Sequence, residues 1–392
     1  MSIVAPSEFI LNFIMIIFPT YKTYVKNSSS GGRLMSLDFY RGLIMVLLML
    51  ESSRLYDHLA EGTKGSFMEP LMNQFFHHPW HGLHFWDLIQ PGFMFIAGVA
   101  MAYSIYKQKV NDIPWKTQAG KALRRSGWLF FWGVLDYAVR KDHLSFELWD
   151  VLTQLSVTML IAFFIFSWKT GYQILFSIGL LMLTELLYRN SNIPGFDQPF
   201  TDQHNFGNYV DLLLMNKINA GGWVAINCIP TAAHTIWGAV AGKWLIKLKN
   251  DKSRITRVLI FGLIALAAGY LLDFYHITPI IKRIATSSFV LVSGGYCLLG
   301  LALLYGWIDV LGHKRYLKPF IIVGMNSIFI YVFFEIVVDR WLYGYLHTLV
   351  AGILTPFSFP VLPVEILASL VVFAVEWGLC LWLYRRKIFF KL

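Results

Sequence analysis

A polar loop directly precedes a long apolar segment in this chain, and it reads His77-His78-Pro79-Trp80-His81-Gly82-Leu83-His84-Phe85-Trp86-Asp87. We call residues 77–87 the histidine loop, because they hold four of the 11 histidines within eight residues. The apolar segment, 88–106, is about as long as a membrane-spanning helix, which needs about 20 residues. Ionisable groups at a membrane boundary are costly, so their clustering here indicates a functional site.

The composition of the whole chain points to a polytopic membrane protein. Of its 392 residues, 56% are hydrophobic and 14% are charged, whereas soluble domains carry about 25% charged residues. The net charge of +10 lies in short loops between apolar runs, so it predicts membrane topology rather than nucleic-acid binding. The chain has no zinc spacing, P-loop or dinucleotide fingerprint. Three cysteines in apolar runs favour buried thiols over a disulfide or a metal site: Cys228, Cys297 and Cys380.

The apolar runs predict an all-α bundle of about ten transmembrane helices. Their approximate ranges are 37–57, 84–107, 122–139, 148–168, 171–188, 222–246, 255–274, 286–308, 318–338 and 362–384. A shorter apolar piece, 341–356, is interpreted as a re-entrant or interfacial segment. Residues 1–35 are interpreted as a peripheral lead-in to a transmembrane domain at 36–392, because the apolar run 9–19 is too short to span.

The distribution of Lys and Arg predicts the orientation. One set of alternate loops carries 24 of the 33 basic residues, and such an excess marks the cytoplasmic side. Both termini are therefore predicted to be cytoplasmic. The histidine loop falls on the extracytoplasmic side together with the longest loop, 189–221, which has the length of a lid or an acceptor platform.

His77 is the first candidate for chemistry, because a neutral histidine can take a proton or attack an acyl group near pH 7. Asp87 lies ten residues further on and is placed to orient the imidazole ring. We consider His78, Trp80 and His81 candidates for substrate binding. The structural alternative is an interfacial belt in which Asp87 caps the helix start, and the sequence leaves the two readings about even.

Polar residues within or near the other spans offer further candidates. Glu51, near the end of the first span, suits a cationic amine or a sugar hydroxyl, or a salt bridge to Arg54. Asn326 shares one face of the ninth span with Tyr331 and Glu335. Such a stripe suits a polar cavity or helix–helix hydrogen bonds equally well.

Two charged pairs near span ends favour structural roles. Asp38 and Arg41 stand one turn apart at the start of the first span, where a local ion pair is favoured over a phosphate contact. Lys282 and Arg283 precede the eighth span. They suit an anionic group, although snorkelling to lipid phosphates is favoured.

Six motifs in order along 36–392 resemble a known family. They are Ser36-Leu37-Asp38-Phe39-Tyr40-Arg41-Gly42; His77-x-x-Trp80-x-Gly82-Leu83-x-x-x-Asp87-Leu88-x-x-Pro91-x-Phe93-x-Phe95-Ile96-x-Gly98; Pro230-Thr231 with Gly238 and Gly242; Pro279-Ile280-x-Lys282 with Ser287-Ser288; Gly324-Met325-Asn326-Ser327-Ile328-x-x-Tyr331-x-x-x-Glu335; and Leu383-Tyr384-Arg385-Arg386-Lys387-Ile388-Phe389. Together they resemble the catalytic domain of heparan-α-glucosaminide N-acetyltransferase and its bacterial relatives.

The resemblance implies an acetyl-CoA-dependent transmembrane acetyltransferase. The family moves an acetyl group from cytosolic acetyl-CoA to the amine of a terminal glucosamine across the membrane, and its active-site histidine falls on His77. The implied location is a bacterial inner membrane, with a homodimer as a candidate assembly and no metal. The chain departs from the family at Thr153-Gln154, where relatives have Gln-Arg, and at Ser52, where the animal enzyme has Asn.

Two routes and two rival functions remain open. His77 acts either as acyl carrier or as general base, with Asn326 as an oxyanion donor. Candidates for contacts with the acetyl-CoA are Arg124, Arg125, Lys243, Lys282 and Ser287. The rivals are a sugar transporter and an O-acyltransferase acting on cell-envelope glycans.

Overall fold

The predicted all-α class is confirmed by the computed structural model, which describes residues 34–138 and 144–390. Every element within these ranges is helical, and the β-type pairing found there is one isolated antiparallel bridge between His81 and Ile281. The predicted lead-in, 1–35, lies outside the described residues except for its last two positions.

Fifteen α-helices are numbered here in chain order. They are α1 Met35–Ser52, α2 Leu55–Thr63, α3 Glu69–Asn73, α4 Ile89–Val110, α5 Trp115–Ala138, α6 Val151–Phe164, α7 Thr170–Arg189, α8 Phe206–Met215, α9 Cys228–Lys247, α10 Asp251–Phe274, α11 Ser287–Leu304, α12 Lys318–Gly324, α13 Ser327–Phe333, α14 Tyr343–Leu354 and α15 Val361–Arg385. Short 3₁₀ turns occupy Phe85–Leu88, Ala225–Asn227 and Thr355–Phe357, and π-helical turns occupy Tyr305–Val310 and Phe334–Leu342.

Several of these helices have the length and composition of membrane spans. Within the described ranges five qualify, or six if one bent pair of helices counts as a single span. The five are Phe85–Val110, Thr170–Arg189, Asp251–Phe274, Ser287–Val310 and Val361–Arg385. A membrane protein is therefore supported, while the count of ten spans and the orientation stay predictions.

The predicted ninth span, 318–338, is wrong in its boundaries. The helix breaks between α12 and α13, and the two parts of the pair are bent by 74°. From Ser327 the chain stays helical to Phe357, so the segment 341–356, interpreted above as a separate piece, continues the second part of the broken helix. The break falls at Asn326, where backbone φ and ψ leave the helical region.

The described chain divides into two compact units. The larger unit contains residues 34–40 and 67–314, and the smaller unit contains 41–66 and 315–390. In the larger unit α4 and α9 pack backbone to backbone: a Cβ atom added at Gly98 would lie 2.0 Å from the carbonyl oxygen of Thr235, and one at Gly238 would lie 2.0 Å from that of Phe95. Such close contact through small residues is typical of membrane helix pairs.

The helices α10 and α11 form a second pair in the larger unit. A Cβ atom at Gly269 would lie 2.8 Å from the carbonyl oxygen of Ser288, and one at Gly295 would lie 2.9 Å from that of Gly262. The loop 275–286, which contributes to the candidate site, connects the C-terminal end of α10 to the start of α11. The glycines therefore fix the position of that loop through the helices on either side of it.

Helices α1 and α12 meet closely in the smaller unit, where a Cβ atom at Gly42 would lie 2.0 Å from the carbonyl oxygen of Phe320. Ser52, at the end of α1, donates to the buried carboxylate of Glu376 on α15 at 3.0 Å. Polar contacts of this kind satisfy groups that would otherwise be costly within an apolar bundle.

Candidate functional site

The two ends of the histidine loop are held together by Gln74. Its side-chain oxygen accepts from the backbone N–H of Phe85 at 3.1 Å, and its carbonyl oxygen accepts from that of Trp86 at 2.9 Å. The ring Nδ1 of His84 donates to the carbonyl oxygen of Phe76 at 3.0 Å. The loop is therefore closed on itself just before the 3₁₀ turn that leads into α4.

Asp87 is the central acceptor of the loop and is fully buried. Its Oδ2 accepts from the backbone N–H groups of His78 at 3.2 Å and His84 at 2.9 Å. Its Oδ1 lies 3.0 Å from Nδ1 of His77. The capping role and the ring-orienting role proposed from the sequence are thus carried by the same carboxylate, one oxygen each.

Lys282 reaches the same place from a loop 205 residues away in the sequence. The histidine loop and the loop before α11 are joined by the bridge between His81 and Ile281, and the N–H of Gly82 donates to the carbonyl oxygen of Ile280 at 2.9 Å. This pairing brings the Lys282 ammonium to 3.0 Å from Nδ1 of His77 and 3.6 Å from Oδ1 of Asp87.

The ring of His77 is 37% exposed, whereas Asp87 and Lys282 are nearly inaccessible. Desolvation and then the Lys282 ammonium lower the pKa of His77 from 6.5 to about 4, with a smaller contribution from Arg283, and Asp87 opposes them in part. A lowered pKa keeps a histidine neutral, so His77 is uncharged near pH 7 and retains a lone pair for attack or for proton abstraction.

Nδ1 of His77 faces two partners that require opposite protonation states of this nitrogen. Asp87 can only accept, so it requires a proton on Nδ1, while a Lys282 ammonium can only donate, so it requires a lone pair there. In the first tautomer the lone pair lies on Nε2, the nitrogen on the other side of the ring. The pair of neighbours therefore controls whether Nε2 is basic.

Trp223 forms one wall beside His77 in the larger unit. The two rings meet edge to face with centroids 5.3 Å apart, and the Lys282 ammonium lies 5.3 Å from the centre of the Trp223 ring. On the same indole ring lies the Arg283 guanidinium, at 5.9 Å. An aromatic ring bordered by cations and open beside an imidazole offers a stacking surface for a ligand.

The loop 189–221 is anchored next to this wall. Trp80 donates through Nε1 to the carbonyl oxygen of Phe200 at 2.8 Å. Asp211, on α8, accepts from Nε1 of Trp149 and from the N–H of Ala225, both at 2.9 Å, and burial raises the pKa of Asp211 to about 6. These contacts fix the chain on both sides of Trp223.

The other predicted residues of the histidine loop hold the loop in place. His81 contacts Asp273 at 2.7 Å, and the same carboxylate oxygen accepts from the N–H of Ile280 at 2.9 Å. His78 packs edge to face on His84 and covers Gly82, where φ is +147° and a Cβ atom would lie 2.4 Å from His78 Nε2. Their substrate-binding role stays a prediction.

Two of the residues proposed to contact acetyl-CoA have protein partners instead. The buried Lys243 ammonium donates to the carbonyl oxygens of Phe166 at 2.5 Å and Trp168 at 3.2 Å, and to Gln173 at 3.0 Å, which uses all three of its protons. Ser287, at the start of α11, contacts Glu185 at 3.4 Å. Neither residue enters the site assembled around His77.

The remaining predicted residues lie on other elements. Arg124 and Arg125 are on α5, with Arg124 exposed. Glu51 is exposed and Glu335 lies in a π-helical turn, both in the smaller unit. Asn326 is buried in the smaller unit, where its amide donates to the carbonyl oxygen of Ile388 at 3.1 Å and accepts from the N–H of Phe390 at 2.9 Å. It anchors the C-terminal segment.

Sequence reasoning missed Trp223 and Asp273, and it grouped Lys282 with acetyl-CoA contacts rather than with His77. The signal for Trp223 was its place after two glycines, Gly221 and Gly222, at the start of the predicted span 222–246. No local pattern pairs His77 with Lys282, because the contact depends on the tertiary bridge between their loops.

Comparison with known proteins adds no identity: no family model matches the chain, and no curated protein matches it at a significant level.

Proposed function

We propose that this protein is an acyl-CoA-dependent transmembrane acyltransferase that moves an acetyl group from acetyl-CoA to the amine of a glucosamine-type sugar. One observation carries the proposal: a neutral, partly exposed His77 whose Nδ1 is held by the buried carboxylate of Asp87. A carboxylate behind an imidazole is the arrangement that orients histidines for nucleophilic or general-base catalysis.

The chemistry assigned to the site starts from the tautomer with the proton on Nδ1, facing Asp87. On the acyl-carrier route, Nε2 attacks the thioester carbonyl, the C–S bond breaks, and the acetyl group is held on His77 until the acceptor amine takes it. On the direct route, Nε2 removes a proton from the acceptor amine as it attacks acetyl-CoA. Both routes require the same ring orientation.

The topology assigned to the reaction follows the positive-inside distribution of the sequence. In this proposal acetyl-CoA arrives from the cytoplasm, and the acceptor meets His77 on the extracytoplasmic side, in a bacterial inner membrane. Trp223 and Trp80 line the acceptor side, and aromatic faces of this kind stack against sugar rings. An O-acyltransferase acting on cell-envelope hydroxyls would use the same His77 and differs only in its acceptor.

A sugar transporter is the second candidate, because the broken helix at Asn326 resembles the discontinuous helices of transporters. Transporters of this kind place such breaks in matched halves and turn the freed polar groups toward the substrate. Within the described residues one bent pair of helices occurs. The side-chain amide of Asn326 donates to the carbonyl oxygen of Ile388 and accepts from the N–H of Phe390. This occupation favours the acyltransferase.

The deciding experiment measures transfer of radiolabelled acetyl from acetyl-CoA to glucosamine by the purified protein in detergent. We expect His77→Ala to lower transfer by more than about 100-fold, because it removes the nucleophile or base. His313→Ala serves as the matched control, since His313 is exposed and its ring stacks on Trp307, outside the histidine loop. Full activity of His77→Ala contradicts the assignment.

The chemical position of the label separates the candidates. Acetyl on the amine supports the N-acetyltransferase, and acetyl on a hydroxyl supports the O-acyltransferase. Absence of both binding and transfer of acetyl-CoA, together with sugar uptake into proteoliposomes, would favour the transporter.

A further inference from the structure

Lys282 is the one cation that contacts His77 directly within the described residues. Hydrogen bonds within its loop hold it in that position. Its loop is tied by the hydroxyl of Thr286, which accepts from the N–H of Ile281 at 3.0 Å and donates to the carbonyl oxygen of Pro279 at 2.7 Å. The N–H of Ala285 donates to the carbonyl oxygen of Lys282 at 2.9 Å. These bonds hold the backbone of Lys282 against the histidine loop.

Burying the Lys282 ammonium is costly unless polar groups of the protein compensate its charge. The Lys282 side chain is 6% exposed, and Asp87, its carboxylate neighbour at 3.6 Å, is 1% exposed. A surface lysine placed there to bind lipid phosphates would extend to water, as the snorkelling interpretation requires. Here the ammonium points to Nδ1 of His77 at 3.0 Å, so the sequence preference for snorkelling is wrong for Lys282.

A Lys282 ammonium can donate to Nδ1 of His77 only when that nitrogen carries a lone pair. When Nε2 is free and basic, the proton on Nδ1 donates to Asp87, and the Lys282 ammonium faces the same carboxylate oxygen at 3.6 Å. Once Nε2 carries an acyl group, a neutral acylimidazole has its lone pair on Nδ1, and that lone pair accepts from Lys282. The lysine therefore stabilises the acylated ring in its neutral form.

We propose that Lys282 is a positioning residue that acts through His77: it donates to Nδ1 of the acylated ring, keeps the acylimidazole neutral, and so limits the loss of the acetyl group to water. The inference rests on the proposed function and on its acyl-carrier route. A protonated acylimidazole is a much stronger electrophile than a neutral one, because its leaving group is neutral imidazole rather than imidazolate.

Atoms and protons balance through the cycle. Nε2 bonds to the acetyl carbon as the C–S bond breaks, the Nδ1 proton is released to solvent, and the departing thiolate takes a proton from solvent, which gives CoA thiol. Lys282 then donates to the vacated lone pair. When the acceptor amine attacks, the C–N bond to Nε2 breaks and one ammonium proton of the acceptor returns to Nδ1. The free histidine is restored and the acetamide is formed.

The charged and titratable groups that face this ring are few. Asp87 favours a protonated Nδ1, while Lys282 and Arg283 oppose it. Burial, and then His84 and His81, lower the pKa of His78, while the Asp87 carboxylate beside it opposes them. Removing Lys282 therefore removes one of the groups that lower the pKa of His77, while burial and Arg283 still lower it, and the ring becomes easier to protonate.

The test uses diethyl pyrocarbonate, which acylates neutral histidine rings and leaves a carbonyl group on the nitrogen as the proposed intermediate does. The pH dependence of modification at His77 is followed by mass spectrometry, with fragment ions that separate His77 from His78. In the wild type we expect a midpoint near 4. In Lys282→Met we expect the midpoint to rise but to stay below 6.5, because burial still lowers it, and each pH unit of rise increases the protonated fraction about tenfold.

The lifetime of the adduct gives the second readout. In Lys282→Met the ethoxycarbonyl group on His77 should be lost to water about tenfold faster at pH 6 for each unit of rise in the midpoint. Lys282→Arg keeps a cation and should keep the low midpoint. Lys217→Met is the matched control, because Lys217 is also partly buried and paired with a carboxylate, Glu147 at 3.1 Å, outside the histidine loop.

Two enzyme assays separate this inference from the proposed function. If the wild type transfers acetyl, Lys282→Met should raise the ratio of acetyl-CoA hydrolysis to transfer, and an unchanged ratio overturns the role of Lys282. If the wild type transfers nothing, the proposed function fails. Equal midpoints and equal adduct lifetimes in the wild type and Lys282→Met overturn the inference whatever the acetyl assay gives.

Discussion

At the scale of single residues, the two carboxylate oxygens of Asp87 make different contacts, and this difference gives a testable prediction. One oxygen holds the backbone N–H groups of His78 and His84, and the other faces the ring of His77. In Asp87→Asn the amide oxygen can keep the backbone contacts while the NH₂ group faces Nδ1. The ring must then place its proton on Nε2, and we expect acetyl transfer to fall by about 100-fold or more.

The matched control for that variant is Asp273→Asn. Asp273 also pairs with a histidine of the same loop, His81 at 2.7 Å, but has no contact with His77. Transfer rates of both variants are compared after thermal unfolding in detergent has shown that their melting temperatures are equal. A larger loss in Asp273→Asn than in Asp87→Asn would contradict the tautomer argument.

The residue scale also shows what the sequence could predict of the site. The pair of His77 and Asp87 was predictable, because ten residues of one loop limit how far apart the two side chains can lie. Lys282 and Trp223 were not assigned to it, since their contacts with His77 span 205 and 146 positions and depend on how separate loops pair. Residue type alone suggested lipid phosphates for the lysine.

At the scale of helices, the contact of α4 with α9 depends on missing side chains. A Cβ atom at Gly238 would lie 2.0 Å from a backbone oxygen of α4, and a backbone atom cannot rotate away. We expect Gly238→Ala to destabilise the protein by about 1–3 kcal/mol, the usual cost of overpacking. The measurement is thermal unfolding in detergent, followed by circular dichroism.

Gly127→Ala is the control for this helix pair. Gly127 lies within α5 and has nothing within 4 Å of an added Cβ atom. Alanine has the better helix propensity, so the control should keep its stability or gain up to about 1 kcal/mol. Equal melting temperatures of the two variants would show that α4 and α9 are not held at the separation described.

At the scale of helices, the sequence predicts where helices lie but not where one of them breaks. Each of the ten predicted spans has a helix at its place, because apolar runs bounded by charged residues fix helices of this length. The prediction of one continuous span at 318–338 was wrong, because the helix breaks at Asn326. Its amide satisfies backbone groups of Ile388 and Phe390, more than 60 positions away, and no local pattern announces that contact.

At the scale of the whole molecule, the number of membrane crossings depends on helices that length and composition alone do not identify as spans. Helix α9 is not among the five that qualify by length and composition, although the sequence predicts a span at 222–246. The physical reason is its surroundings. Other helices enclose α9, with Trp237 bonded to Ser177 at 2.8 Å and His234 to Ser293 at 2.9 Å.

A helix enclosed in this way does not need an apolar surface. Lipid-facing helices must present hydrocarbon side chains, whereas an enclosed helix places its polar groups against partners on neighbouring helices. Thr235 of α9, for example, donates to Thr158 of α6 at 3.0 Å. Mean hydropathy therefore undercounts spans at the centre of a bundle, and we predict that α9 crosses the membrane.

Two exposed positions on either side of α9 test that crossing. In a variant without its native cysteines, Asp197→Cys and Lys249→Cys are introduced one at a time and treated with a membrane-impermeant maleimide. We expect Asp197→Cys to react in intact bacterial cells and Lys249→Cys to react only after lysis, because the Lys and Arg distribution predicts a cytoplasmic position for residue 249. Labelling of both positions in intact cells would put them on one side. Then α9 would not span, the loop with His77 and the basic loop after α9 would share a compartment, and acetyl transfer would not need to cross the membrane.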